Sequence, residues 1–323
     1  MRTGRKSSFN PGRPFSKAAA RTRRYGFLIG LAVLFLLADL ALAWWNPMES
    51  SRRFYKNDFT KTLYHHDWQR SGPIFYGNSA VTGAYMEDKS SHPLTELGLS
   101  YGRITDLKAI LEKNLYQVKD ELVVGIDVHT MIDDMQTDPT YQWFKKPYQP
   151  YIYAYRDYFR DSGTEAVKSL YAGAVELDAG KLLDYQPRWI DKELYFGLKE
   201  KAWMAERWDY YDKLWGHLTL PDFRENLDAL AWVADYAAGH GLALRVVWMP
   251  WHKDFPKPSY VEPLKAEANR ILAEHQTPVL DVMDRYSAEY FHDLVHLNRE
   301  VGAPLFTKEV DEWLRSFAKP SNS

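Results

Sequence analysis

Gly72-Pro-Ile-Phe-Tyr-Gly-Asn-Ser79 is an apolar run that closes on a small-residue turn and a serine. Residues 73–77 read as a strand buried on both faces, because the apolar side chains continue without alternation. Gly77 and Gly83 leave room for a tight turn into a helix. The same rhythm recurs along the chain. A short apolar segment covers 94–99. Residues 104–115 are amphipathic, with Leu107, Ile110, Leu111 and Leu115 on one face. Glu121-Leu-Val-Val-Gly-Ile-Asp127 is a second buried run. Further on, 227–240 reads as a helix stopped by Gly241, and 242–249 as a strand ended by Pro250. A helix over 260–275, a strand over 277–281 and a helix over 300–317 complete the series. Strands alternating with helices predict an α/β domain whose parallel sheet is covered on both faces.

Residues 130–225 break this rhythm. They are rich in Tyr and Trp, from Tyr141 and Trp143 to Tyr211 and Trp215, and show no strand series or repeat. The expectation is a mostly helical insertion over one end of the sheet. Ligands of such sheets bind beyond the carboxyl ends of the strands, so an insertion there acts as a lid or wall. Its rings either pack its own small core or stack on sugars.

The first 45 residues carry a separate signal. Eight of the 41 Lys and Arg residues fall in 1–24, which hold no acid. That stretch is rich in Ser, Arg, Gly and Pro and is expected to be a disordered cytoplasmic tail. Residues 25–45 are almost wholly apolar, and about 20 such residues cross a ~30 Å hydrocarbon layer. Basic residues before the span, and none close behind it until Arg52, place the N-terminus in the cytoplasm. Trp44 and Trp45 suit the outer interface, and Asp39 is placed to reach the headgroups there. Cleavage as a signal peptide after Ala41-Leu-Ala43 is the competing reading. The length of the apolar run favours a retained anchor. Either way the rest of the chain lies outside the cytoplasm, so nucleic acid is not an expected partner. Residues 46–70 read as a polar stalk, and 71–318 as the extracytoplasmic domain.

The 323 residues include no cysteine, which excludes disulfides, thiolate catalysis and Cys-ligated zinc. No P-loop, G-x-G-x-x-G or H-E-x-x-H pattern occurs, so nucleotide and zinc-peptidase chemistry have no support, and no metal or cofactor is expected. A serine nucleophile needs a base, and the base needs a carboxylate to hold its tautomer. Asp293-Leu-Val-His296 offers both groups within one turn of chain, after the nucleophile in chain order. The G-x-S-x-G elbow is absent, because Gly77-Asn-Ser79-Ala-Val lacks its second glycine. Other groups read more blandly: His65-His66 as surface histidines of the stalk, and Asp133-Asp134 as a solvated turn or helix start. His129 and Pro250-Trp251-His252 lie at carboxyl ends of strands and are placed to reach a substrate.

These residues match a known pattern. The chain resembles the SGNH (GDSL-like) hydrolase superfamily, and its membrane-anchored cell-envelope branch in particular. That branch includes the D-alanine transfer protein of teichoic acids and the alginate O-acetylation proteins. The first block appears as Phe75-Tyr-Gly-Asn-Ser79. The last appears as Asp293-Leu-Val-His296, continued by Leu-Asn-Arg-Glu-Val-Gly302. Leu97-Gly-Leu-Ser-Tyr-Gly102 and Gly125-Ile-Asp127 resemble the middle blocks. The match covers about 73–128 and 222–317.

The resemblance implies a three-layer flavodoxin-like SGNH fold. Ser79 would be the nucleophile, His296 the base and Asp293 its orienting acid. Oxyanion donors would be the Ser79 N–H and an N–H near Tyr101–Gly102. Two positions depart from the pattern. Asn78 stands where the family has Asp, and Asp127 where it has the oxyanion Asn. An ionised Asp127 would repel an oxyanion. The resemblance implies acyl transfer or ester hydrolysis on a cell-envelope glycan or teichoic polymer, beside a membrane-bound O-acyltransferase. The alternative is an inactive SGNH-like scaffold that binds a glycan or such a partner.

Overall fold

The computed structural model describes residues 15–47, 58–92, 94–135, 149–154 and 194–317, and ten positions between 156 and 173. The chain divides into two compact units, Met1–Glu49 with Phe144–Asp184, and Ser50–Trp143 with Tyr185–Ser323.

In the first unit a helix runs from Phe15 to Trp45, so it begins ten residues before the apolar span and takes in part of the expected tail. Tyr25–Trp45 is long and apolar enough to cross a membrane. Its large side chains are exposed from Tyr25 to Leu40, but Asp39 and Ala43 are buried. Asp39 differs from its expected role. Its carboxylate oxygens accept the N–H groups of Tyr151 (2.9 Å) and Ile152 (2.8 Å), at the start of the short helix Tyr151–Ala154. Part of the aromatic insertion thus belongs with the N-terminal helix.

The second unit is built on five parallel strands: β1 (Ser71–Asn78), β2 (Thr95–Leu99), β3 (Gln117–Ile126), β4 (Ala243–Trp248) and β5 (Val279–Asp281). Their spatial order is β2-β1-β3-β4-β5, the flavodoxin-like arrangement. The topology reverses between β1 and β3, where such sheets bind ligands. The continuous apolar runs are what central parallel strands require: Phe75, Tyr76, Leu122, Val123, Val124, Val246 and Val247 are all fully buried.

Alternate strand residues serve opposite layers. Phe75, Val123, Val247 and Leu280 pack with Ala80, Val81 and Ala84, and with Phe306, Val310 and Leu314 of the helix Gly302–Arg315. On the other face Tyr76 Oη donates to Arg103 O (2.6 Å), ahead of the helix Ile104–Glu112. Trp248 Nε1 donates to Asn269 Oδ1 (2.9 Å) in the helix Val261–Glu274. The helix Arg224–His240 ends at Gly241, whose φ of 67° is the left-handed conformation that glycine adopts without strain.

Two glycines set the depth of the helix that follows β1, Ser79–Ala84. A Cβ on Gly77 would lie 2.3 Å from Val81 Cγ2, and one on Gly125 2.4 Å from the same atom. Val81 therefore plugs directly onto the backbones of β1 and β3. This close approach holds Ser79 over the carboxyl end of β1.

Two expectations change, on the stalk and on Asp133, and the helical insertion is found where it is described. The stretch taken as stalk includes the helix Asp58–His65, whose Phe59 and Leu63 are core residues. Asp133 starts no helix of its own: it accepts from Glu225 N and Asn226 N (2.9 Å each) and so caps the helix that begins at Arg224. The insertion is helical at Lys201–Trp215, where Tyr211 and Trp215 stack on one another (5.0 Å) and Trp215 meets the His129 ring (4.9 Å). Of these Trp215 is buried. Tyr141 and Trp143 fall outside the described residues.

Candidate active site

Ser79 is the first residue of its helix. Asn78 caps that helix, its Oδ1 accepting Ala80 N–H at 2.8 Å. The Ser79 N–H has no intrahelical acceptor at that position. Its Oγ lies 2.9 Å from His296 Nε2. His296 Nδ1 lies 2.9 Å from both carboxylate oxygens of Asp293. The structure thus brings together a hydroxyl, an imidazole and a carboxylate that the sequence separates by 217 positions at its widest step.

The D-x-x-H spacing works through the backbone. Asp293 Oδ1 also accepts the N–H groups of Val295 (3.0 Å) and His296 (2.9 Å), so one turn fixes acid and base together. Burial pushes the Asp293 carboxyl up. The adjacent His296 and these backbone bonds outweigh it and bring the pKa down to about 2. A carboxylate facing Nδ1 selects the Nδ1–H tautomer and leaves Nε2 to accept the serine proton.

Asp127 occupies the end of β3, but its carboxylate is fully engaged. Oδ1 accepts from His129 N (2.6 Å), Thr130 N (3.0 Å) and Asn78 Nδ2 (2.9 Å), and Oδ2 lies 3.5 Å from His129 Nδ1. Burial again pushes its pKa up, and His129, Asn78 and Thr130 together pull it to about 2. Asp127 therefore carries no proton to donate to an oxyanion. It anchors the turn Val128–Met131 and ties β3 to β1. The two departures from the family pattern are one matched pair in this chain, Asn78 donating to Asp127.

Gly102 also differs from expectation as a donor, because its N–H is bonded to Leu99 O (2.8 Å). A Cβ there would lie 2.8 Å from Leu99 Cβ and 3.0 Å from Gly77 O, so its smallness serves a close approach to β1. Tyr101, beside it, holds a left-handed φ of 55°. Among the other candidates, His252 is buried against Phe255 and Phe291, and desolvation lowers its pKa. His129 is committed to Asp127 and Trp215.

Ser79 opens onto a groove of about 1030 Å³ lined also by His65, His66, Thr82, Glu87, Glu96, Tyr195, Phe196 and Arg299. The stalk histidines are thus groove residues. His66 Nε2 pairs with Glu87 (2.8 Å) and its Nδ1 donates to Thr62 O (2.7 Å). Glu96 accepts from Gly98 N (2.6 Å) and Thr82 Oγ1 (3.0 Å), and desolvation raises its pKa to about 7.

Tyr195 was not singled out by sequence reasoning, yet its ring stacks on His296 at 3.9 Å and 16°. Gly83 makes room beside both: a Cβ there would lie 3.2 Å from His296 Cβ and 3.3 Å from Tyr195 Cδ2. Residues 195–199 are laced to the loop that carries the base. Gly197 O accepts from His292 Nδ1 and Asn298 Nδ2 (2.8 Å each), Tyr195 O from Arg299 N (3.0 Å), and His292 O from Lys199 N (2.8 Å). Arg299 in turn donates to Thr82 O (2.6 Å) on the serine helix.

No protein-family model matches this chain, and no curated protein matches it. Among solved structures, the crystal structure of an acetyl xylan esterase aligns with 77% of this chain and 100% of its own, at 11% identity and a TM-score of 0.36. So distant a likeness carries no argument about the reaction.

Proposed function

We propose that this chain is an SGNH-type enzyme that transfers or hydrolyses an O-acyl group on a cell-envelope polysaccharide or teichoic polymer. One observation carries the reading: Ser79 Oγ, His296 and Asp293 form a continuous line with 2.9 Å at each step. Nucleophile-first chain order and the β2-β1-β3-β4-β5 sheet support the family assignment.

In the first half-reaction Ser79 Oγ attacks the acyl carbonyl while His296 Nε2 takes its proton. The C–O bond to the leaving hydroxyl then breaks, and His296 returns the proton to that oxygen, leaving an acyl-serine. In the second half, water or a polymer hydroxyl gives its proton to His296 and attacks the acyl-serine, and Ser79 leaves reprotonated. Asp293 stays ionised and stabilises the imidazolium. The Ser79 N–H, with the Tyr101 N–H in place of Gly102, would hold the oxyanion; such a donor contributes about 3 kcal/mol to the barrier.

The feature that favoured an inactive scaffold was Asp127. Its engagement with Asn78, His129 and Thr130 gives it a structural task in this chain. The reading includes retention of 25–45 as a membrane anchor, with the second unit outside the cytoplasm and a membrane-bound O-acyltransferase as acyl source. The test is labelling of the full chain in detergent with a fluorophosphonate probe, with release of acetate or D-alanine from acylated polymer. Both are expected in the parent and lost in Ser79→Ala. Equal labelling of parent and Ser79→Ala would sink the assignment.

A further inference from the structure

The groove in front of Ser79 holds a fixed cation. Arg299 lines it, beside Ser79, Thr82, Tyr195 and Phe196. Its guanidinium donates to Thr82 O (2.6 Å), and its main-chain N–H donates to Tyr195 O (3.0 Å). Those bonds hold both side chain and backbone, yet the first uses one of five guanidinium N–H groups. Among the described residues no carboxylate makes an ion pair with Arg299. The acids of the groove are engaged elsewhere. Both Glu87 carboxylate oxygens face His66 Nε2 (2.8 and 3.0 Å), and Glu87 also accepts Glu96 N. Glu96 accepts from Gly98 N and Thr82 Oγ1, and desolvation favours its neutral form. Asp88 is exposed at the rim and has no bond to Arg299.

Thr82 sets the place of this cation relative to the nucleophile. Ser79 and Thr82 stand three residues apart on one helix, so they share a face, and both line the groove. At a rise of ~1.5 Å per residue, a guanidinium on Thr82 O lies roughly 8–10 Å from Ser79 Oγ. An ester at Ser79 therefore leaves about one polymer unit between itself and Arg299. A planar fork with unused donors and no counter-charge suits a carboxylate or a phosphodiester, either of which it can bond twice. Arg299 is half-buried and already held, so little ordering remains to be done on binding. Phe196, 46% exposed in the same groove, offers a ring face to the carbon skeleton of the unit.

We propose that Arg299 is the anion subsite of this groove. Its guanidinium fork holds the carboxylate or phosphodiester of the unit next to the one whose ester lies at Ser79, and so selects a negatively charged polymer. The inference rests on the reading of Ser79 as the nucleophile.

Three oligomers of equal length, none carrying an acyl group, separate the two chemistries: oligogalacturonate, oligo(glycerol phosphate) and a neutral malto-oligosaccharide. Their binding to the full chain in non-ionic detergent is measured by calorimetry at low salt. One anionic oligomer is expected to bind about 10-fold more tightly than the neutral one, which names the source of the anion. The same oligomer should slow fluorophosphonate labelling of Ser79 about 3-fold, because it fills the groove beside it. Arg299→Gln should cut the anion preference about 5-fold or more, and Arg299→Lys, which keeps the charge without the fork, about 3-fold. Equal binding of all three oligomers would overturn the inference. So would a preference kept in Arg299→Gln, which would put the anion on other cations, such as the eight in residues 1–24. Anion binding that leaves the labelling rate unchanged would place the anion outside the groove and refute it as well. If Arg299→Gln does not fold, Arg299→Lys decides, and parent affinity in that variant would refute the fork. Ser79-dependent labelling without an anion preference would remove this inference and leave the proposed reaction. An Arg299-dependent preference with equal labelling of parent and Ser79→Ala would keep the anion subsite and remove the reaction.

Discussion

Replacing Asn78 with aspartate is expected to damage the fold through one contact. The Asn78 amide donates to Asp127 Oδ1 at 2.9 Å, and both side chains are buried. Two ionised carboxylates at that separation would repel by about 6 kcal/mol at an effective dielectric of roughly 20. Keeping a proton on one of them is the cheaper outcome. For a carboxyl of ordinary pKa near ~4, that costs about 4 kcal/mol at pH 7. Asn78→Asp should therefore lose about 4 kcal/mol of unfolding free energy at neutral pH. The folded variant would then hold one proton more than its unfolded chain, so its stability should fall by ~1.4 kcal/mol for each unit of rising pH. Adding Asp127→Asn restores one donor and one acceptor, and the double variant should regain at least half of the loss. Urea unfolding of the full chain in detergent, followed by tryptophan fluorescence from pH 5 to 8, reads all three quantities. A parent-like urea midpoint for Asn78→Asp, independent of pH, would refute this account. So would a double variant no more stable than the single one.

Two further outcomes follow from the site. Gly83→Ala places a methyl 3.2 Å from His296 Cβ and 3.3 Å from Tyr195 Cδ2, so the imidazole or the ring must give way. Phosphonylation of Ser79 by the fluorophosphonate should slow by about 10- to 100-fold with the urea midpoint nearly unchanged; a rate within twofold of the parent would show that the base is not held there. Glu96 is raised to about 7 by desolvation, so the folded state favours its protonated form, and that stability is lost as pH rises from its ordinary 4.5 through about 7. Glu96→Gln should remove this dependence and raise the melting temperature relative to the parent at pH 8 but not at pH 4; equal shifts at both would count against it.

The sheet was legible because central parallel strands bury both faces, and Leu122-Val-Val-Gly125 and Val246-Val-Trp248 have no other simple reading. Helix ends were legible where a single residue decides them, as at Gly241. The acid–base pair was legible because its spacing is local, with Asp293 reaching the ring and backbone of His296 within three residues. What stayed hidden depends on partners far away in the chain. Asn78 and Asp127 looked like two separate faults until their hydrogen bond, across 49 positions, made them one. Tyr195 was one ring among many, and nothing local marks it as the ring on His296. Asp39 could be read only as an oddity in an apolar helix, because the segment it holds begins 112 residues later. His66 looked solvated because Glu87, its partner, lies beyond the whole of β1.

The lacing of residues 195–199 to the loop bearing His296 has a consequence for the proposed mechanism. Through Gly197, Tyr195 and Lys199 the insertion is tied to the residues on either side of His296. Conformational freedom at 195–199 is therefore freedom of His296, the proposed general base. Trimming or replacing the insertion would not simply exchange one specificity for another. It would loosen the imidazole, and under the proposed mechanism the turnover number would fall even on a small ester that never touches the insertion.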